Sequence, residues 1–285
     1  MKQIFTLLAA VLFTASSYAQ VGIGTITPNA SAALDVSSTT KGFLPPRMTK
    51  VQLDSIAFPV EGLMVYCTDC VPKTLYVFDA FNFVSTSNNT PSGLSSTDVY
   101  STTTGKTWMD RNLGATQVAT SSTDADSYGD LYQWGRNTDG HQIRTSTIVL
   151  GPVASGAEGA NFIKNATTPY DWLTVQDVTR WGATKTANDP CPTGFRVPTE
   201  SELDAERVLF ATNNAAGAFT SELKLPVAGY RRYSTGVLTL VGSYGFYWSS
   251  TVSGTRARYL YFDSSSASMD INLRAYGYSV RCIKE

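Results

Sequence analysis

The chain has 285 residues, with 22 basic against 23 acidic side chains, 42% hydrophobic and 12% aromatic residues. That length suffices for more than one folded unit, and the balanced charge supplies no field to draw in nucleic acid or an anionic membrane surface. Few charges together with 22 Gly and 15 Tyr fit the β-rich surface of an exported protein.

In chain order, Lys2 precedes an apolar run from Ile4 to Phe13 and small residues ending Ser17-Tyr18-Ala19, the pattern of an export leader cleaved before Gln20. The run is far short of the ~20 residues that span a bilayer, and no later run is long enough, so no membrane span is expected. The first cysteine is Cys67, which leaves the leader without a residue for lipid attachment. The protein is expected outside the cell or at its surface, with the periplasm as the second location. In such a compartment the four cysteines read as disulfides, with three pairings open. Our reading takes Cys67 with Cys70 and Cys191 with Cys282.

Residues 20–84 are expected to form a small β-rich N-terminal module. From Val21 to Met48 the text is turn-rich and lacks a sustained period, so it reads as extended and irregular. Thr49 to Gln52 is a capping box that opens a short helix ending before Pro59. Leu63–Tyr66 and Thr74–Phe78 read as strands of a hairpin closed by Cys67 and Cys70. A redox C-x-x-C needs a helix at its first cysteine, and Pro72 in a β pattern argues against one. Residues 85–97, rich in Ser, Asn, Gly and Pro, read as a linker.

A second unit is expected over 98–285. Its organising stretch is Asn188 to Leu203, where Asp189, Pro190, Pro192 and Gly194 force a tight path. There Phe195–Val197 reads as a strand, and Thr199 with Glu202 forms a second capping box. The sole histidine, His141, follows the Asp139-Gly140 turn signature, so it reads as turn-exposed or structural. With no nucleophile motif beside it, no enzyme activity and no cofactor are expected. Asp124, Asp126 and Asp130 surround Gly129 in an oxygen-rich loop of the kind calcium uses. The EF-hand template fails, because Tyr128 occupies its fifth position and Gly135 its twelfth; a solvated acidic turn is the plainer reading, so no metal is expected and these three aspartates are only a weak calcium candidate. Four tryptophans, Trp108, Trp134, Trp172 and Trp248, read as core, and Trp181 as the one expected to be exposed.

Between Val252 and Tyr276 two runs alternate apolar with polar residues around the turn at Ser264–Ala267, which predicts two half-buried strands. The outward face is expected to hold Arg256, Arg258, Tyr259, Tyr261, Asp263, Asp270, Asn272, Arg274 and Tyr276. Tyr and Arg are the residues recognition surfaces favour, so these nine are the candidate contacts for a protein or glycan ligand.

Two resemblances bear on these readings. Val21-Gly-Ile-Gly-Thr25, Leu34-Asp-Val36, Lys41 to Thr49 and Gly62 to Tyr66 resemble a segment that opens many exported Bacteroidetes proteins. Some relatives of that segment look like fibre-forming surface proteins, which implies a homotrimer as one option. From Asp98 onward, Gly105–Ala115, Tyr128–Arg136, Asp171-Trp172, Leu225–Tyr230, Tyr247–Thr251 and Ser279–Ile283 together resemble the Fibrobacter succinogenes major paralogous domain. That resemblance implies an α+β, C-type-lectin-like domain with a twisted antiparallel sheet, long loops, and Cys191 and Cys282 as its structural pair. Trp248-Ser249-Ser250 stands where calcium-dependent sugar binders carry Trp-Asn-Asp, so calcium-dependent sugar recognition is not implied. In lectin-like proteins diversified by retroelements the binding residues lie between such a Trp-Ser-Ser framework and a final Gly-x-x-Val-Arg strand, as 252–276 do here. The expected function is adhesion or ligand binding at the cell surface; the alternative is a structural or fibre-type oligomer.

Overall fold

The structure is a computed structural model that describes residues 20–70, 73–86, 94–95 and 97–285. The expected leader lies outside the described residues, as does most of the expected linker. In chain order the N-terminal part contains β1 (Val21–Ile23), β2 (Leu34–Val36), β3 (Arg47–Met48), α1 (Lys50–Asp54), β4 (Met64–Cys67), β5 (Leu75–Phe78) and β6 (Phe83–Ser85). β7 (Asp98–Ser101), β8 (Lys106–Met109), β9 (Tyr132–Gln133), β10 (Ile148–Leu150), β11 (Phe162–Lys164) and β12 (Phe195–Arg196) follow. Then come α2 (Glu200–Arg207), α3 (Ala215–Thr220), β13 (Tyr230–Arg231), β14 (Leu238–Thr239), β15 (Gly245–Ser253), β16 (Arg256–Phe262), β17 (Ala267–Leu273), β18 (Gly277–Tyr278) and β19 (Ile283–Lys284).

The α+β, C-type-lectin-like expectation is corrected by this inventory. Helix accounts for 9% and strand for 28%, and the strands fall into several small sheets, so the fold is β-rich. The physical reason is local. Helical signals are few: capping boxes at Thr49 and Thr199 and an Asn214 cap each open a helix, and all three helices stop within about two turns.

In the N-terminal part, β3-β4-β5-β6 form one sheet, closed over Leu53, Val65 and Tyr76. The Cys67–Cys70 disulfide belongs to the same small core. Ahead of it β1 and β2 pair in parallel, Val21 with Leu34 and Ile23 with Val36, in a segment expected to be irregular.

The later part is organised on the antiparallel sheet β15-β16-β17. Successive side chains of a strand point to opposite faces, and here both faces are covered. Leu260 and Phe262 pack with Leu203 of α2, Trp108 and Ile283. Ala257 and Tyr259 pack on the other side with Trp134, Trp248 and Tyr278. A second sheet, β12-β19-β8-β7, is tied to the Asn188–Leu203 stretch. Asp189 there accepts the N–H groups of Cys191 and Val197, both at 2.9 Å, and Cys191 is bonded to Cys282 just before β19. The α2 capping box closes in both directions through Thr199 and Glu202, and Arg196 grips Glu202 with both terminal nitrogens, at 2.8 and 2.6 Å. No helix among the described residues is long and apolar enough to cross a membrane; this and the two disulfides are compatible with an exported protein.

Candidate functional site

The nine residues expected on one contact face are distributed over three environments. Tyr259 and Arg274 correct that expectation, because both are buried. Tyr259 stacks among Phe246, Trp248 and Tyr278. Arg274 lies 4.7 Å over the Trp134 ring and donates to the Gly254 carbonyl at 2.9 Å; desolvation lowers its pKa. Other elements pack on both faces of β16, so alternation along it separates two cores rather than core from water.

Arg258 is half-buried and lies 3.4 Å from Glu200 of α2. Asn272 is also half-buried and donates to the Tyr278 hydroxyl at 2.7 Å. Asp263 organises its own turn: it accepts from the Tyr261 hydroxyl and from the N–H groups of Ser265 and Ser266 at 2.7 and 2.9 Å. These donors, Tyr261 first, hold its carboxyl well below the usual carboxylate range. Arg256 and Asp270 are exposed, and Tyr276 is half-buried. Residue reasoning missed Tyr230, Tyr233 and Tyr244, half-buried rings of which the first two meet Tyr276 and the third meets Tyr261, the two groups being joined through the buried Phe246.

His141 is fully buried, so the turn-exposed alternative does not hold. Its Nε2 accepts the Gln133 N–H at 3.0 Å, which puts the proton on Nδ1, 2.6 Å from Asp139 Oδ1. Burial lowers its pKa to about 4 despite that carboxylate. Asp124 spends its acceptors on Gln117, Thr120 and the Asp126 N–H, as the cap of a short turn of helix. The three aspartates do not converge; among the described residues Cys67, Asp69 and Cys70 make the one grouping with metal-ligand spacing, and its two sulfurs are bonded to each other. Trp181, expected to be exposed, is buried: its indole N–H reaches the Asn188 carbonyl at 2.8 Å and its ring meets Trp134.

The surface that stands out is N-terminal. Val21 and Ile23 on β1 and Leu34 and Val36 on β2 are all exposed and, by their register, share one face of this strand pair, a face that the chain itself leaves uncovered. Two strands alone are marginal in water, and apolar rows of this kind mark association surfaces. Ile26 at 100% and Phe58 at 96% exposure extend the apolar character along the same part of the chain.

Two family models match. One, a phage tail like trimerisation region, covers residues 22–105. The other, a domain of unknown function (DUF8237), covers residues 200–283. No curated protein and no solved structure matches this chain. The chain is thus similar, over the part with the uncovered strand pair, to proteins grouped by a trimerisation region, and over α2 to β19 to an uncharacterised domain.

Proposed function

We propose that the protein is a structural component of the cell surface that assembles as a homotrimer through its N-terminal part and carries the β-rich remainder as a rigid head. The observation that carries this reading is the exposed apolar strand pair β1–β2, which lies inside the region similar to a trimerisation family. A threefold assembly gives those rows what the single chain lacks, a second and third copy of the same surface. The two disulfides support export to an oxidising compartment. No catalytic role is included, since both imidazole nitrogens of His141 are engaged in the core.

A ligand contact on the head is the second reading, favoured by the half-buried tyrosines Tyr230, Tyr233 and Tyr276 and the pair Tyr244 and Tyr261, which flank the buried Phe246. The deciding experiment is the mass of the full secreted chain in solution. Three copies of it support the trimer; a single copy across micromolar concentrations removes it.

A further inference from the structure

The strand pair β1–β2 accounts for only some of the uncovered apolar surface. Downstream, Phe43 and Leu44 project at 63% and 67% exposure from the extended stretch between β2 and β3. Their N–H groups make no hydrogen bond among the described residues. Pro45 and Pro46 fix their own φ and hold Leu44 and Pro45 extended. The stretch is therefore stiff before it meets anything, and ordering it on a partner costs little.

Elsewhere on the same chain a cavity of about 530 Å³ opens between the N-terminal sheet and the β7–β8 hairpin. Phe78, Phe81, Phe83 and Tyr100 line it together with the charged Lys50, Asp54 and Lys284, so it offers aromatic rings beside polar groups. Phe81 stands on its rim at 85% exposure. Neither Phe43 nor Leu44 lines the cavity of its own chain. Proline-stiffened extended segments are the kind of ligand that aromatic-lined grooves accept.

We propose that the Phe43–Pro46 segment of one copy seats in this cavity of the next copy. The inference rests on the trimer proposed above. Projection and cavity are different surfaces, so the contact is head-to-tail, and three such contacts close into a ring. Apart from Thr107 and Lys284, which also line the cavity, both surfaces fall within the residues similar to a trimerisation region.

The test places the photoreactive p-benzoylphenylalanine at position 43 of the full chain, mixed with an isotopically heavy copy. The expected result is an adduct between light and heavy chains that maps to the peptides carrying Leu53 and Phe78 to Phe83. A trimer whose adducts fall within one chain, or between two copies of residue 43, overturns this inference and leaves the trimer standing; a monomer overturns both. Phe81→Asp supplies the second reading, because its side chain lies mainly in water in the single chain. It should weaken trimer formation by at least about 10-fold and remove the adduct, with circular dichroism unchanged. Full adduct yield with Phe81→Asp also overturns the inference.

Discussion

Replacing Ile23 by serine tests the trimer where the magnitude is simplest to work out. Ile23 is 55% exposed on β1 in the single chain. Burying the wet half of an isoleucine is worth about 1 kcal/mol, and burying a serine hydroxyl in its place costs about 1 kcal/mol more. Ile23→Ser should therefore cost about 2 kcal/mol per copy. Threefold symmetry enters that cost three times, about 6 kcal/mol per trimer, or roughly four orders of magnitude in the association constant. Val208 is the control: it is 61% exposed at the end of α2, outside the N-terminal surface. Val208→Ser should change stability by less than about 0.5 kcal/mol and leave assembly alone. Sedimentation velocity on the full chain, from nanomolar to micromolar, reads both. A trimer indifferent to Ile23→Ser, or equally weakened by Val208→Ser, would refute the reasoning.

Three further outcomes are expected. Exchanging Cys191 and Cys282 together for serine opens a closure of 91 residues and should lower stability by about 4.6 kcal/mol in the chain-entropy account; a denaturant melt within about 1 kcal/mol of the parent contradicts this. Because the native pKa of His141 is depressed to about 4 from 6.5, the unfolded chain binds the extra proton between those values, so stability falls as pH drops through that window, by about 3 kcal/mol in all; in His141→Gln that part of the slope should vanish, and an unaltered pH–stability profile argues against the buried neutral imidazole. On β17, at the edge of its sheet, Asp270 and Asn272 accept the N–H groups of Ile271 and Leu273 at 2.7 and 2.9 Å, which occupies donors that an added strand would use. Exchanging both for valine should promote association that light scattering detects at micromolar concentration, and a clean unassociated double variant counts against that role.

What the sequence made legible was short in range. Both capping boxes are patterns of four residues and appear where read, and the strands at 256–262 and 267–273 follow from alternation. Alternation does not say what covers each face. Tyr259 looks like a contact residue in isolation, yet Phe246, Trp248 and Tyr278 arrive from β15 and β18 to enclose it. Arg274 looks like a surface fork, yet aromatic and carbonyl partners from distant parts of the chain hold it inside. Trp181 carries no framing motif, but a carbonyl seven residues on satisfies its indole. The β1–β2 surface escaped because each strand is only three residues long, too brief for a period to register. The α+β expectation came with the family resemblance, and the helices it needs are not written into the local sequence.

The order β12-β19-β8-β7 places the strand that begins at Asp98 and the strand that ends at Lys284 on either side of β8, and Lys284 reaches Asp98 at 3.2 Å. The intervening chain thus returns to the place where it set out. A unit threaded this way can be grafted into a host chain at a single point, or repeated in tandem, without prying its sheets apart. It can also be recut: a permuted chain in which residue 284 runs through a short bridge into residue 98, with new ends in an exposed loop such as 154–157, should keep both cores and the Cys191–Cys282 bond.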